Sequence, residues 1–368
     1  MIPRVSVGLP VYNGERFLQR TLNDLLGGTF ADFELVAVDN ASTDATADIL
    51  SDAARQDSRV RVSRNAANLG ALPNANRAAA LARAPLFALA AYDDRHAPTF
   101  LERLVGALDR APEAVLAYGG TTLVGDDDQP FAFDAASRHY VDADGEVYRY
   151  DAALERPLPA GPGASLARYR AVLRSNDVNA PIHGLFRRTA LDRIGPHQLH
   201  GSDRLIVAHA ALLGPFAYVP EALFGFRIHA ASTVHLTRAE WLAREAGRPA
   251  AGSRLDGLRT LGVYLRATGQ ADLGAVARAR ALVASLGYAV RPDVLRRLVL
   301  PGIDNYLGWT RWPGQPVRTP ARVIPRAADA GPWTWMTGGD CANTIRDGEQ
   351  AGTVGASDRT TFRASAPS

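Results

Sequence analysis

Lysine is absent from the chain, so all 41 of its basic residues are arginines. Without a lysine amine, Schiff-base catalysis, covalent attachment of pyridoxal phosphate and the phosphate-binding lysine of a P-loop are excluded. Cysteine is almost absent as well, since Cys341 is the only one. A single thiol cannot form a disulfide framework or a thiolate zinc site within one chain, which suits a reducing compartment.

Long apolar runs are also missing. A membrane-spanning helix needs roughly 18 or more consecutive apolar residues. The longest candidate, residues 205–218, is interrupted by His209 and by the Gly214-Pro215 pair. The N-terminus enters a strand pattern at once and shows no signal peptide. We therefore expect a cytoplasmic protein, and peripheral attachment at the inner face of the membrane stays open.

A net positive charge is missing from the first two thirds of the chain. Residues 1–235 carry 23 arginines against 27 acidic residues, whereas residues 236–330 carry 15 arginines against 7. A basic segment beside an acidic domain can bind anionic lipid or nucleic acid. Because few aromatic residues are interleaved with these arginines, we interpret the segment as a solvated face and expect no nucleic-acid partner.

Three apolar runs, each followed by acidic or amide residues, dominate the first half. They end at Asn13, at Asp39 and at the Asp93-Asp94 pair. Helical patterns at residues 15–26, 46–57 and 72–82 separate the runs, which predicts parallel strands in one sheet. Parallel strands end at a common edge, where open α/β sheets bind ligands. We therefore expect the three strand-end loops to meet in space.

The pattern changes after Gly119, and it predicts several segments. Residues 1–119 form the first half of an α/β domain, and residues 120–235 form a mixed second half that contains the acidic turn Asp126-Asp127-Asp128. Residues 236–300 are predicted to be a helical C-terminal extension. Residues 301–368 are rich in Pro and Gly without a core pattern, and we expect them to be largely disordered.

The strand-end carboxylates suggest a chemistry. Asp39 ends its strand in a position that suits a hydrogen bond to a base or ribose, and helix capping by Ser42, Thr43 or Asp44 does not explain it. The adjacent carboxylates of Asp93 and Asp94 repel each other unless a cation or hydrogen-bond donors neutralise them. Together with substrate phosphates they predict a Mg²⁺ or Mn²⁺ site. A helix-entry turn stabilised by the helix dipole is the alternative.

Taken together, the motifs resemble glycosyltransferase family 2. They are Pro10-Val11-Tyr12-Asn13, residues 38–46, Asn68-Leu69-Gly70 and Asp93-Asp94. The resemblance covers about residues 1–235 and implies the GT-A fold, a nucleotide-binding α/β sheet joined to an acceptor-binding half. It also implies an inverting transfer of sugar from a UDP, GDP or dTDP sugar to a saccharide, a lipid-linked sugar or a natural product.

The resemblance implies roles for the matching residues. Those expected to bind the nucleotide are Pro10, Tyr12, Glu15, Asp39, Asn68, Gly70 and Asp93. Those expected to hold Mg²⁺ or Mn²⁺ are Asp93, Asp94 and His229, the last within the Arg227-Ile228-His229 motif. In the segment 201–204, Asp203 resembles the catalytic base of the acceptor side, with N-capping of the next helix as its structural alternative. His96 and His183 carry less specific signals, and we predict structural roles for both.

Two positions depart from the family pattern. Ala91 stands where an aspartate is usual, two residues before Asp93, and Ser202 stands where the acidic motif usually has glutamate. The change at Ala91 leaves open a catalytically degenerate nucleotide-sugar-binding protein, although binding alone needs neither Asp203 nor His229. A nucleotidyltransferase on a similar sheet would need a Gly-rich loop with a basic residue after the first strand, and residues 12–15 supply neither.

Overall fold

Strand and helix alternate through the first half of the chain, as predicted. The computed structural model describes residues 2–134, 139–149, 154, 156–161, 163–175, 178–196, 202–230, 232 and 256–289. The first elements are β1 (Val5–Val11), α1 (Leu18–Leu26), β2 (Phe33–Asp39), α2 (Thr46–Gln56), β3 (Val60–Arg64), α3 (Ala71–Leu81) and β4 (Leu86–Leu89).

Shorter elements follow in the second half. They are β5 (Arg95–His96), α4 (Phe100–Arg110), β6 (Leu116–Val124), β7 (Ala132–Asp134), β8 (His139–Val141), β9 (Val147–Arg149), α5 (Ser165–Arg174), α6 (Asn179–Ile182), β10 (Leu185–Arg187), α7 (Arg188–Ile194), α8 (Ser202–Leu213) and β11 (Phe216–Arg227). Two helices, α9 (Asp256–Gln270) and α10 (Ala275–Ala289), come after a gap in the description.

One eight-stranded sheet connects the two halves, in the order β3-β2-β1-β4-β10-β6-β11-β5. Strands β3, β2, β1 and β4 are parallel, as predicted, while β10 runs antiparallel to both β4 and β6. Strand β11 is parallel to β6. The carboxyl ends of β1, β2, β4, β6 and β11 therefore share one edge with the loop that precedes β10.

The parallel strands are buried because helices cover the sheet. Strands β1 and β2 are almost completely buried, and Leu18 and Leu22 of α1 and Leu104 and Leu108 of α4 are fully inaccessible in the same core. Burying a leucine side chain contributes roughly 1.5–3 kcal/mol. This packing fixes the strand ends, and with them the loops that carry the candidate site.

Strand β11 is irregular, although the apolar runs at 216–219 and 223–227 on either side of Pro220 read as two separate strands in the sequence. It is one strand with register shifts between Val219 and Ala222 and between Ala222 and Phe224. Pro220 lies within the first irregularity, where a missing backbone N–H is tolerated as a bulge. The bulge interrupts the strand pattern in the sequence without ending the pairing with β6.

Helices α9 and α10 fall within the segment predicted to be helical. Tyr264 and Ala281 pack in the core that also holds Tyr169 of α5, whose hydroxyl lies 2.7 Å from Oγ of Ser285. Within the described residues, no helix combines the length and hydropathy needed to cross a bilayer. Residues 290–368, including the tail expected to be disordered, lie outside the description. The proposed domain boundaries therefore stay predictions.

Candidate active site

The first two strand-end loops are joined by reciprocal hydrogen bonds. The backbone N–H of Asn13 donates to Oγ of Ser42 at 3.0 Å, and Oδ1 of Asn13 accepts from the N–H of Thr43 at 2.9 Å. The carboxylate of Glu15 accepts from the N–H of Ala45 at 3.0 Å, at the entry to α2. Asn13 adopts a left-handed φ of 49°, which asparagine tolerates well. The loops after β1 and β2 thus form one wall.

Asp39 lies at the base of this wall and is only 1% exposed. Its Oδ1 accepts a hydrogen bond from the N–H of Ser42 at 2.9 Å. Its Oδ2 lies 2.7 Å from Nη1 of Arg64, an ion pair without hydrogen-bond alignment, and this atom has no other partner among the described residues. A buried carboxylate oxygen without a hydrogen bond is costly, and a ligand donor would satisfy it.

The end of β1 borders Asp39 directly. Val11 is the register partner of Asp39, and Pro10 is the partner of Val38. Pro10 is half-buried, whereas Tyr12, the next residue beyond the strand, has 38% of its surface exposed. The predicted nucleotide residues of β1 therefore stand beside the buried carboxylate.

Asn40 fixes the loop that contains the predicted residues Asn68 and Gly70. Its Nδ2 donates to Oδ1 of Asn68 at 2.8 Å and to the carbonyl of Gly70 at 3.2 Å. Its Oδ1 accepts from the N–H of Leu69 at 3.0 Å and from Nδ2 of Asn65 at 2.8 Å. Asn40 is buried and fully hydrogen-bonded, and this role was not predicted from the sequence. Its only sequence signal is its position immediately after Asp39.

Asp93 and His229 meet at the same edge although 136 residues separate them. Nε2 of His229 lies 3.2 Å from Oδ2 of Asp93. The imidazole packs 4.9 Å from the ring of Phe17, and its Nδ1 is buried without a partner among the described residues. The backbone N–H of His229 donates to Oγ of Ser232 at 2.8 Å, which fixes the chain just after β11.

Asp94 has a different environment from Asp93. It is buried, and its Oδ1 accepts the backbone N–H of Arg227 at 2.9 Å. Burial, and then the charge of Asp93, raise the pKa of Asp94 well above its usual range. Its carbonyl accepts from the hydroxyl of Thr21 at 2.8 Å. The structure therefore joins Asp94 to β11 and α1, and it joins Asp93 to His229.

The donor atoms of Asp93 and His229 are suited to a divalent cation. One carboxylate and one imidazole leave most coordination positions to water and to substrate phosphates, a common arrangement for Mg²⁺ or Mn²⁺. Within the described ranges, no three His, Cys, Asp or Glu side chains are arranged to hold a metal ion. Of the three predicted ligands, Asp93 and His229 fit a shared site, whereas the buried Asp94 is already bonded to β11.

His183 lies at the same edge, which the sequence analysis did not anticipate. Its Nδ1 is 3.2 Å from the carbonyl of Leu89 at the end of β4, and its ring stacks on Phe224 at 4.4 Å. Burial lowers the pKa of His183, while the bond to Leu89 and the charges of Asp203 and Asp93 act in the opposite direction. Asp203 is exposed in the first turn of α8, and its charge is one of those that act on this imidazole.

His96 lies in the core, as predicted. It is 1% exposed, its ring makes edge contacts with Phe100 at 5.0 Å and Phe224 at 5.7 Å, and neither ring nitrogen has a described partner. Burial, followed by the charges of His183 and Arg95, lowers its pKa to about 3. His96 is therefore neutral in the folded protein at physiological pH.

Replacing His96 with Leu is expected to remove part of the acid sensitivity of the fold. The unfolded histidine takes up a proton below about pH 6.5, whereas the folded one stays neutral down to about pH 3. Its contribution to stability is present above pH 6.5 and falls as the pH decreases through this window. As the pH falls from about 6.5 to about 3, the free energy of unfolding of His96→Leu relative to that of wild type should increase by about 1.4 kcal/mol per pH unit. Urea unfolding at several pH values measures how the free energy of unfolding of each protein depends on pH. The same pH dependence in both proteins would contradict the assignment of His96 as a buried, neutral histidine.

Known proteins are similar in sequence to part of this chain. The family model "Glycosyl transferase family 2" matches residues 6–194, just over half of the chain. An uncharacterized glycosyltransferase of Haemophilus influenzae is 27% identical over 108 residues, which are 29% of this chain and 33% of that protein. The putative teichuronic acid biosynthesis glycosyltransferase TuaG of Bacillus subtilis is 30% identical over 129 residues, which are 35% of this chain and 50% of TuaG. The chain thus spans a third to a half of these relatives.

A solved structure shares the fold across both halves. The crystal structure of residues 1–349 of Staphylococcus aureus TarS superposes with a TM-score of 0.57 at 18% identity, covering 82% of this chain and 77% of that one. The complex of the same protein with UDP-GlcNAc gives a TM-score of 0.55. At this identity the likeness concerns the fold, and the family match carries the assignment. The chain therefore belongs to glycosyltransferase family 2 and has the GT-A fold.

Proposed function

We propose that this enzyme transfers a sugar from a nucleoside diphosphate to an acceptor hydroxyl with inversion, assisted by Mg²⁺ or Mn²⁺, with Asp203 as the base. The observation that carries the proposal is the convergence of Asp39 with the Asp93–His229 pair at one sheet edge. These residues supply the two chemistries that a nucleotide sugar needs, a polar pocket for the nucleoside and a cation site for the diphosphate.

The nucleoside would bind against the wall formed after β1 and β2. Oδ2 of Asp39 is the acceptor for an N–H or O–H of the base or ribose, because this buried atom has no partner among the described residues other than the ion pair with Arg64. Tyr12 is exposed beside it, and the loop carrying Asn68 and Gly70 is held in place by Asn40. The remaining predicted contacts of this end are Pro10 and Glu15.

The diphosphate would bind next to Asp93 and His229. When bound, the cation stabilises the negative charge that develops on the leaving phosphate oxygens, an effect worth several kcal/mol. Asp93 and His229 hold and orient this end of the substrate. Asp94 is better suited to supporting the turn, since its carboxyl already binds the N–H of Arg227.

The acceptor would approach from the side of α8. Its hydroxyl loses a proton as it attacks the anomeric carbon, and the exposed carboxylate of Asp203 accepts that proton. Attack from the face opposite the leaving diphosphate inverts the configuration in a single displacement, which needs one base and no covalent intermediate. The charges of Asp203 and of Asp93 both act on His183, whose pKa is lowered by burial.

The comparisons indicate which donor and which acceptor to test first. UDP is the first donor nucleotide to test, because TarS was crystallised with UDP-GlcNAc and with UDP, and GDP and dTDP sugars are the other candidates. The name of TuaG makes a polysaccharide the first acceptor to test, before lipid-linked sugars and natural products. We place the reaction in the cytoplasm, and peripheral membrane contact is a separate hypothesis.

A catalytically degenerate nucleotide-sugar-binding protein is the second candidate. Ala91 favours it, because the family pattern has a carboxylate at that position. It predicts nucleotide binding without any sugar transfer, and it gives Asp203 no catalytic function at the exposed start of α8.

A thermal-shift panel of UDP, GDP and dTDP, each with and without Mn²⁺, tests the donor site. Nucleotide at 100 times its dissociation constant should add about 2.7 kcal/mol to the free energy of unfolding. We expect one nucleotide to stabilise the protein most, and to do so more strongly with Mn²⁺. Asp39→Asn should weaken the binding of this nucleotide without changing the additional stabilisation that Mn²⁺ provides. If none of the three shifts the transition, the donor-site assignment is wrong.

A further inference from the structure

The acidic turn Asp126–Asp128 has no role in the proposed transfer, yet it lies at the site edge. It follows β6, and it closes with the N–H of Gly125 bonded to the carbonyl of Gln129 at 2.9 Å. Asp128 adopts a left-handed φ of 67°, a conformation that asparagine and aspartate adopt more readily than most residues. The chain thus turns sharply here, beside the end of β11.

The side chain of Arg227, at the end of β11, connects this turn to Asp93. It is fully inaccessible to solvent. Its Nε donates to the carbonyl of Asp93 at 2.7 Å, its Nη1 donates to the carbonyl of Gly125 at 2.6 Å, and its Nη2 donates to Oδ1 of Asp128. The guanidinium also lies 4.6 Å from the centroid of the Phe17 ring. The same ring contacts the imidazole of His229.

A buried guanidinium needs a fixed counter-charge, and Asp128 supplies it. Burial alone would raise the pKa of Asp128, but the hydrogen bonds and charges of Arg227 and Arg95 outweigh it and lower that pKa. Arg95, directly after the Asp93-Asp94 pair, reaches Oδ1 of Asp128 at 2.9 Å. The carboxylate therefore orients one arginine from each of the segments that carry the predicted metal ligands.

The neighbouring carboxylate provides an internal comparison. Asp126 pairs with Arg16 at 2.8 Å, but 42% and 61% of these two side chains are exposed. Exposed ion pairs contribute little to stability. Two aspartates of the same turn thus differ in one respect that matters, because only Asp128 contacts the buried Arg227.

We propose that Asp128 is a positioning residue for the donor site: through Arg227 it holds the backbone of Asp93 so that the Asp93 carboxylate faces His229. This inference rests on the proposed role of Asp93 and His229 at the diphosphate. Asp128 touches neither of their side chains, so it acts only through the arginine. Displacement of a catalytic group by about 1 Å can lower activity by about 100-fold.

The test compares Asp128→Asn with Asp126→Asn. Asparagine keeps the size of the side chain and tolerates the left-handed φ, so the first change removes the charge alone. We expect Asp128→Asn to lose at least about tenfold in affinity for the nucleoside diphosphate with Mn²⁺, while its affinity with EDTA stays near that of wild type. Asp126→Asn should stay within about twofold of wild type in both conditions.

A second variant covers the case in which Asp128→Asn does not fold. Arg227→Lys keeps the positive charge beside Asp128, but an ammonium group cannot reproduce the fork of three hydrogen bonds. Arg227→Lys should show the same loss of affinity for the nucleoside diphosphate, and only in the presence of Mn²⁺. A role in stability alone would lower the melting temperature and leave the two affinities of the folded protein unchanged.

Asp93→Asn separates this inference from the proposed function. If wild type gains affinity with Mn²⁺, Asp93→Asn loses that gain, and Asp128→Asn and Arg227→Lys both keep it, the positioning role is overturned and the donor site stands. If wild type gains nothing with Mn²⁺, the proposed metal-assisted function itself fails.

Discussion

Replacing Asp203 with Asn is expected to lower kcat by about 10²–10⁴-fold, the usual contribution of a positioned general base. Asparagine cannot take a proton from the acceptor hydroxyl. It keeps the side-chain size and removes only an exposed charge in the first turn of α8, so the free energy of unfolding should change little, by about 1 kcal/mol at most. The affinity for the nucleotide should stay unchanged, because in the proposed function Asp203 contacts the acceptor and not the nucleotide.

Initial rates of nucleoside diphosphate release with a saturating acceptor measure this effect. Asp192→Asn is the matched control, since Asp192 is an exposed aspartate on α7 whose ion pair with Arg188 is on the surface. The control should retain wild-type kcat. A wild-type rate in Asp203→Asn would mean that another group accepts the proton.

Replacing Asp93 with Asn is the second change with a large expected effect. It removes the charged oxygen that faces His229, and with it one of the two protein groups suited to a divalent cation. We expect kcat/KM for the donor to fall by about 10²-fold or more, because several kcal/mol of transition-state stabilisation are lost. The dependence of the nucleotide affinity on Mn²⁺ should disappear as well.

A titration of activity against Mn²⁺ measures this loss in wild type, Asp93→Asn and the control Asp126→Asn. The structural alternative for Asp93 is a helix-entry turn. In that case Asp93→Asn would lower the melting temperature and leave the Mn²⁺ titration curve unchanged. A variant that keeps the wild-type Mn²⁺ response would remove Asp93 from the metal site.

The strand-end residues of the first half could be predicted because they depend on local patterns and one topological rule. Apolar runs separated by helices indicate parallel strands, and parallel strands place Asp39 and Asp93 at one edge. Their different surroundings could not be predicted. Asp93 and Asp94 look equivalent in the sequence, but Asp94 is buried against Arg227, which is distant in sequence.

The second half was less predictable for the same reason. The loop before β10 brings His183 to the edge because β10 runs antiparallel between β4 and β6, and no local pattern indicates that pairing. Arg227 was noted only as part of an Arg-x-His motif, and Asp128 only as part of an acidic turn. Asn40 was hidden beside Asp39, since its partners come from a loop that begins 25 residues later.

Metal-dependent nucleotide binding tests the central claim most directly. Titration calorimetry of wild type with the nucleoside diphosphate selected by the panel, once with Mn²⁺ and once with EDTA, compares two affinities in one protein. We expect binding in both conditions, at least about tenfold tighter with Mn²⁺, a difference of about 1.4 kcal/mol. Equal affinities would contradict the assignment of Asp93 and His229 to the metal–diphosphate, and no binding in either condition would contradict the donor site as a whole.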